Sequence, residues 1–178
     1  MDKSLIETMR LETERLVIRR FNHSDKEGLF GLLSDPDTCR DDGGYRPFDR
    51  DDRFEQAVER FSNEINRYAV VLKETGETIG IMQIKEARRG VDALEFGYII
   101  NKNFRRKGYA FECSTAVLDF CYNVVGAEMM IASAFSFNEK SQSLLKKLGF
   151  TQEGITFKAM KHGVFGTADL VNFYKLKQ

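Results

Sequence analysis

The densest candidate chemistry lies in Asn101-Lys-Asn-Phe-Arg105-Arg-Lys-Gly108-Tyr-Ala110, a basic, glycine-bearing turn between the apolar run Phe96–Ile100 and a long apolar segment from Ala110 to Val125. A tight turn from a strand into the first turn of a helix aims unpaired backbone N–H groups and the positive end of the helix dipole at one point. Such a point suits a phosphate. Gly108 leaves room for the close approach of a diphosphate, and Ala110 keeps the helix start narrow. The second candidate is Glu95. Alternation along Val91–Ile100 places Leu94, Phe96, Tyr98 and Ile100 on one face and Ala93, Glu95, Gly97 and Ile99 on the other. Glu95 is then a carboxylate among small or apolar neighbours in the strand that feeds the phosphate turn, able to accept a proton. Gly97 weakens the ladder and predicts a bulge that turns backbone amides toward a ligand.

Other residue groups carry less chemistry. Asp35, Asp37, Asp41, Asp42, Asp49, Asp51 and Asp52 crowd one segment with Gly43-Gly44 and Pro47, which reads as largely loop. Their spacing is not that of metal ligands, and loop and helix-cap duties account for them, so no metal is expected. Their charge suits the attraction of a cationic amine. His23 and His162 lie in loops without a partner Ser, Cys or acid at a telling spacing, and neither a Walker pattern nor G-x-G-x-x-G occurs. A triad hydrolase, a nucleotide hydrolase and a dinucleotide oxidoreductase are therefore set aside.

Lys plus Arg and Asp plus Glu number 27 each, which leaves no global basic field for nucleic acid or anionic lipid. Any anion site is local. Cys39, Cys113 and Cys121 lack CxxC spacing and read as buried free thiols, in keeping with a reducing cytoplasm. Met1–Arg20 carries charge throughout, and no run approaches the roughly 18 apolar residues of a membrane span. A soluble cytoplasmic protein is expected.

At 178 residues and 42% hydrophobic, the chain fits one domain, 1–178. Leu11–Arg20 reads as a first strand with Leu16 and Ile18 on one face. Ser24-x-x-Glu27 reads as a capping box before a helix that carries Leu29, Phe30, Leu32 and Leu33 and stops at Asp35-Pro36. Phe54, Val58, Phe61 and Ile65 mark the apolar face of a second helix. Tyr68–Lys73 and Thr78–Ile84, joined by Glu74-Thr-Gly-Glu77, begin a meander that Val91–Ile100 extends. The helix from Tyr109 to Val125 stops at Gly126, and Glu128–Ala134 returns as a buried strand. Asn138 caps a helix carrying Leu144, Leu145 and Leu148 that ends at Gly149-Phe150, and Thr151–Met160 pairs with Gly166–Leu176 as a terminal hairpin.

Arg105-x-x-Gly108-x-Ala110 resembles the phosphate loop of the Gcn5-related N-acetyltransferases (GNAT), Gln/Arg-x-x-Gly-x-Gly/Ala. Asn138-x-x-Ser141 through Leu148-Gly149-Phe150 resembles that family's second signature, 28 residues beyond Ala110. Thr13-Glu14-Arg15-Leu16, Glu95-Phe-Gly-Tyr-Ile-Ile, Ser141 and Asp169 together are similar to the RimJ/RimL branch, the ribosomal-protein-alanine N-acetyltransferase-like group. The resemblance runs from about Leu11 to Leu176. It implies an α/β (mixed α+β) fold: a mostly antiparallel, splayed sheet of six to seven strands flanked by about four helices. It also implies acetyl transfer from acetyl-CoA, as co-substrate, to a primary amine by direct attack in a ternary complex. The acceptor is an amine-bearing small molecule or a peptide N-terminus, and the assembly a monomer or homodimer.

Carried over by position, the backbone of Tyr98, Ile99 and Ile100 pairs with the pantetheine amides and polarises the acetyl carbonyl. The backbone of Arg106, Lys107, Gly108, Tyr109 and Ala110 holds the diphosphate, with charge from Arg105 and Lys107. Asn138 and Ser141 face the pantetheine and sulfur end. Many members place a tyrosine acid four residues before the Gly-Phe glycine, where this chain has Leu145, which leaves Ser141, water or Tyr98 to protonate the thiolate. Glu95 is the expected acceptor of the amine's proton. The alternative is an acyl-CoA-binding module with weak catalysis.

Overall fold

Residues 1–177 are described by a computed structural model. In chain order they form α1 (Ser4–Glu7), β1 (Leu11–Glu12), β2 (Leu16–Arg20), α2 (Lys26–Leu33), α3 (Pro36–Thr38), α4 (Asp52–Asn63), β3 (Arg67–Leu72), β4 (Thr78–Glu86) and β5 (Ala93–Ile100). Then come α5 (Tyr109–Phe120), β6 (Met129–Phe135), α6 (Glu139–Lys147), β7 (Thr151–His162) and β8 (Gly166–Leu176). The strands make one sheet in the order β1-β2-β3-β4-β5-β6-β8-β7. Only β5 and β6 pair in parallel. The expected class holds, with eight strands and six helices among the described residues rather than six to seven and about four.

The extra strand comes from a break in the first run. Glu112 of α5 accepts hydrogen bonds from Thr13 Oγ1 (2.6 Å), Arg15 N (2.9 Å) and Arg15 Nε (2.7 Å), which pulls Thr13–Arg15 out of the ladder and folds β1 back on β2. Burial would raise the Glu112 carboxyl, but these bonds outweigh it and hold it below the usual range.

Burial follows the alternation of each strand and sets up three layers. Leu16, Ile18, Val70, Leu72, Leu94 and Phe96 pack in one core with Cys113 and Val117 of α5 and with Cys121 in the turn that follows it. Ala69, Val71 and Ile81 pack on the other face with Leu29, Leu32 and Leu33 of α2 and Phe54, Val58 and Phe61 of α4. Removing a side chain as buried as Phe96 (2% exposed) costs about 3–5 kcal/mol, so the two cores fix the strands that carry the site.

Several expectations change. The capping box is one turn earlier: Asn22 accepts from Ser24 N while its own N–H donates to Asp25 Oδ2 (2.8 Å). Buried Asp25 is also the partner of Arg19 (2.8 Å) and Thr78, a long-range role that Ser24-x-x-Glu27 does not disclose. The aspartate-rich segment is loop only in its second half, 44–51; before that α3 runs into a wide π-type turn, Cys39–Gly43, closed by Gly44 at φ 67°. Asp35 caps it, accepting from Thr38 N (2.9 Å) and Oγ1 (2.7 Å). Ile65 lies beyond the end of α4 and is 49% exposed. His162 ends β7 and is buried, with Nε2 hydrogen-bonded to the Arg40 carbonyl (2.9 Å) and Nδ1 accepting from Val164 and Phe165 N–H. It ties the terminal hairpin to the aspartate segment.

Candidate active site

β5 and β6 begin side by side and then separate. Their paired residues are Ala93 with Met129, Leu94 with Met130 and Glu95 with Ile131, after which β5 stays on β4 and β6 stays on β8. Gly97 does not bulge: Gln83–Gly97 lies in an unbroken register from Glu86–Leu94 to Gly80–Ile100. The amides expected from a bulge are supplied by the separation instead. Asn101 N–H to Ile79 O (2.9 Å) and Ala87 N–H to Ala93 O (3.1 Å) fix the odd-numbered residues as those bonded to β4. Tyr98 and Ile100 therefore direct their backbone groups into the gap. The Ile99 backbone faces β4, so of the three expected residues two remain for an added strand.

The phosphate turn has the geometry of an anion cradle. Arg106 (φ 63°) and Gly108 (φ 86°) are both left-handed, and α5 begins after Gly108 without a side-chain cap, so the N–H groups of its first turn are uncommitted. A Cβ on Gly108 would stand 3.2 Å from Arg15 Nη2. A cavity of about 600 Å³ lies against this turn, lined by Tyr98, Ile100, Arg106, Gly108, Tyr109, Ala110, Asn138 and Ser141 among others. Lys140, Leu144 and Lys147 of α6 also line it, at i, i+4 and i+7, a helical face that adds two cations.

Two cations expected here are placed differently. Arg105 is a strut: Nε donates to Ile100 O (2.9 Å), and Nη2 donates to Thr38 Oγ1 (2.9 Å) and Asp42 Oδ2 (2.8 Å). Its charge is committed to Asp42. Lys107 does not line the cavity; its Nζ sits 5.3 Å from the Phe104 ring centroid, and its carbonyl accepts from Arg15 Nη1 (2.9 Å).

A second cavity, about 660 Å³, opens on the α2/α4 face of the sheet. Glu95, Gly97, Ile99, Tyr45, Phe61, Arg67 and Met160 contribute to it. The two cavities share Asp41, Asp42, Tyr98, Asn138 and Ser141, so they adjoin where β5 and β6 have separated. At that junction Tyr98 Oη and Ser141 Oγ are 3.0 Å apart. Burial pushes the Tyr98 hydroxyl well above its usual range, with the Ser141 hydrogen bond pulling the other way. Such a hydroxyl stays protonated and can donate.

Asn138 holds the junction together. Its Oδ1 caps α6 at Ser141 N (3.1 Å), while its Nδ2 donates to Asp42 Oδ1 (2.9 Å) and the Asp41 carbonyl (2.8 Å). Asp42 is a functional candidate that its neighbours in sequence conceal, since Arg105 and Asn138 reach it from far along the chain. Burial pushes its carboxyl up to about 6 against the pull of Arg105 and Asn138. Glu95 reaches the second cavity only, paired with Lys85 at 3.3 Å. Leu145 is buried (1% exposed) and lines the same cavity as Glu95, an apolar wall at the position where the resemblance expects a tyrosine acid.

Among the described residues there is no cluster of three or more His, Cys, Asp or Glu side chains fit to hold a metal ion, and no helix is long and apolar enough to cross a membrane. The three cysteines are free and buried.

Comparison with known proteins agrees with this architecture. The acetyltransferase (GNAT) domain model matches residues 15–151. The chain is 27% identical over 174 residues to YoaA of Bacillus subtilis (strain 168), described as an uncharacterized N-acetyltransferase, covering 93% of this chain and 95% of that one. It is 25% identical over 162 residues to the [ribosomal protein uS5]-alanine N-acetyltransferase of Escherichia coli (strain K12), covering 85% and 83%. Its fold matches the crystal structure of a GNAT-family acetyltransferase from Bacillus anthracis with a TM-score of 0.83 at 24% identity, over 94% of this chain and 98% of that one. Since the matched domain takes in the splayed strands, the phosphate turn and the capped α6 alike, the chain belongs to the GNAT acetyltransferase family.

Proposed function

We propose that this chain moves the acetyl group of acetyl-CoA to a primary amine by direct attack, with both substrates bound at once. The observation that carries the reading is the meeting of two cavities, one floored by the phosphate turn and one by Glu95 and Gly97, at a wall shared by Tyr98, Asn138 and Ser141. The cofactor's diphosphate lies on the first-turn amides after Gly108, and its pantetheine amides pair with Tyr98 and Ile100. The amine nitrogen attacks the thioester carbon, the C–S bond breaks, and the sulfur leaves as a thiolate. Tyr98, oriented by Ser141, donates a hydrogen bond that stabilises that thiolate, which takes its proton from water. Glu95, directly or through water, takes the proton from the amine, and Asp42 is the second carboxylate within reach of the junction.

The whole chain, with its core at about residues 11–176, serves as one N-acetyltransferase domain of the RimJ/RimL-like kind, working in the cytoplasm on a small amine or a peptide N-terminus. Thiol release measured with acetyl-CoA and a panel of amines and peptides, with product mass as confirmation, tests the reading. Leu145 favours one competitor, a module that binds acyl-CoA without turnover. Cofactor binding with no acetylated product across the panel would establish that competitor.

A further inference from the structure

The acceptor-side cavity is lined by charges of both signs. Asp41 and Asp42 also line the cofactor cavity, whereas Glu95, Arg60 and Arg67 line this one alone, with Tyr45, Phe48 and Phe61. Arg67 opens β3 and faces Gly97 across Gln83, two strand spacings or roughly 10 Å along the cavity floor. A Cβ on Gly97 would meet nothing within 4 Å, so the floor is open above Gly97, with Gln83 lining it between the two.

The Arg67 guanidinium is an unusual feature. Its side chain is 24% exposed and lies 4.5 Å above the Phe61 ring. Among the described residues it donates no well-aligned hydrogen bond. Its acid neighbour is Glu64, whose Oε2 lies 2.6 Å from Nε as an ion pair, which leaves the two Nη groups without a hydrogen-bond acceptor among the described residues. Glu64 is shared with Arg60, whose Nε is 3.8 Å from Oε1. Two guanidinium groups thus stand against one carboxylate, a net positive charge on a cavity wall. The Nη donors of Arg67, which lines the cavity, are open to an acceptor placed there. The planar fork matches a carboxylate.

We infer that the acceptor is an amine that also carries a carboxylate, of the amino-acid kind, with its anion held by Arg67 and Arg60 and its amine delivered past Gly97 to the thioester. The inference rests on the acetyl-transfer reading and narrows its acceptor. Tyr45, Phe48, Phe61, Leu33 and Ile81 supply an apolar wall for the body of such a molecule. A polyamine would set positive charge against two arginines.

Matched acceptors that differ in the anion provide the test: leucine against leucinamide, phenylalanine against phenylalaninamide, and spermidine as an all-cationic amine. Thiol release at saturating acetyl-CoA is expected to give kcat/KM about tenfold or more higher for the carboxylates. That preference should collapse in Arg67→Gln, chiefly through KM, with acetyl-CoA affinity unchanged. Equal or better use of the amides or spermidine, or a preference that survives in Arg67→Gln, overturns the inference while leaving acetyl transfer intact. Calorimetric binding of N-acetylphenylalanine in the presence of CoA reads the same site without turnover. Binding that Arg67→Gln weakens supports the assignment even in a protein that transfers nothing, and absence of binding to the wild type overturns it. Should Arg67→Gln fail to fold, Arg67→Lys, which keeps the charge but not the fork, is expected to weaken binding in the same direction, and unchanged binding in it overturns the inference.

Discussion

Tyr98 Oη lies 3.0 Å from Ser141 Oγ at the wall common to both cavities, which joins the central strand to the first turn of α6 at the place where a thiolate would leave. If the Tyr98 hydroxyl stabilises the leaving thiolate by a hydrogen bond, Tyr98→Phe should lower kcat by about tenfold or more and leave the dissociation constant of acetyl-CoA within about twofold. Ser141→Ala should do less, since it removes the orienting partner and not the donor. Stopped-flow thiol release with independent calorimetry separates the two effects, and an unchanged kcat in Tyr98→Phe would mean that the thiolate leaves without that hydrogen bond.

Glu95→Gln is expected to lower kcat/KM by about 10²- to 10⁴-fold at pH 7, with cofactor binding nearly intact. The loss should shrink at high pH, where the acceptor amine deprotonates unaided. The ion pair with Lys85 supplies a control, because Lys85→Met removes the pairing and keeps the carboxylate. Wild-type activity in Glu95→Gln would make that carboxylate structural and shift the duty to Asp42.

Gly108→Asp should raise the dissociation constant of acetyl-CoA at least tenfold, about 1.4 kcal/mol or more. At φ 86° a side chain is strained, and here it would lie beside Arg15, holding a carboxylate near the amides meant for the diphosphate. Gly108→Ala shares the strain but not the charge, so its smaller loss measures the two contributions apart. Equal affinity in all three folded proteins would take the diphosphate away from this turn.

Asp42 makes stability depend on pH in the direction opposite to an ordinary paired carboxylate. Its carboxyl sits at about 6 in the fold against 3.8 ordinarily, so the folded state keeps the proton that the unfolded chain gives up. Stability therefore falls as pH rises from about 4 to 6 and levels off above, by about 3 kcal/mol for this group alone. Asp25, Asp35 and Glu112 are lowered and act the other way, so the comparison is with Asp42→Asn. Urea unfolding at pH 4 and pH 7 should show the wild type losing stability relative to the variant. Parallel curves would mean that Asp42 is ionised as easily in the fold as outside it.

Much of this was legible in the chain because it is local. Alternation put Glu95, Gly97 and Ile99 on one face, Asn138 announced the start of α6, and Gly108 marked the turn that leads into α5. What was not legible depends on partners far away in sequence. Arg105 reads as a phosphate ligand until Asp42 and Thr38, more than sixty residues earlier, are seen to hold it. Arg67 looks like an ordinary strand start until the cavity behind it appears. Gly97 misled for a related reason: the amides were freed by the neighbour's departure after Ile131, a property of β6 and not of the strand that carries the glycine.

The separation of β5 from β6 also gives the sheet two edges in its middle. Beyond Glu95 and Ile131 each strand presents backbone groups to open space, the condition that elsewhere invites pairing with a foreign chain. A bound pantetheine arm would act as the missing rung and close both edges at once. Ligand-free protein should thus be the aggregation-prone form, and acetyl-CoA the agent that protects it. With the cofactor at a hundredfold excess over its dissociation constant, mass action alone adds about 2.7 kcal/mol to the folded state. The slowest-exchanging new amides should be those of Tyr98 and Ile100, so that supply of the acetyl donor sets the lifetime of the protein as well as its rate.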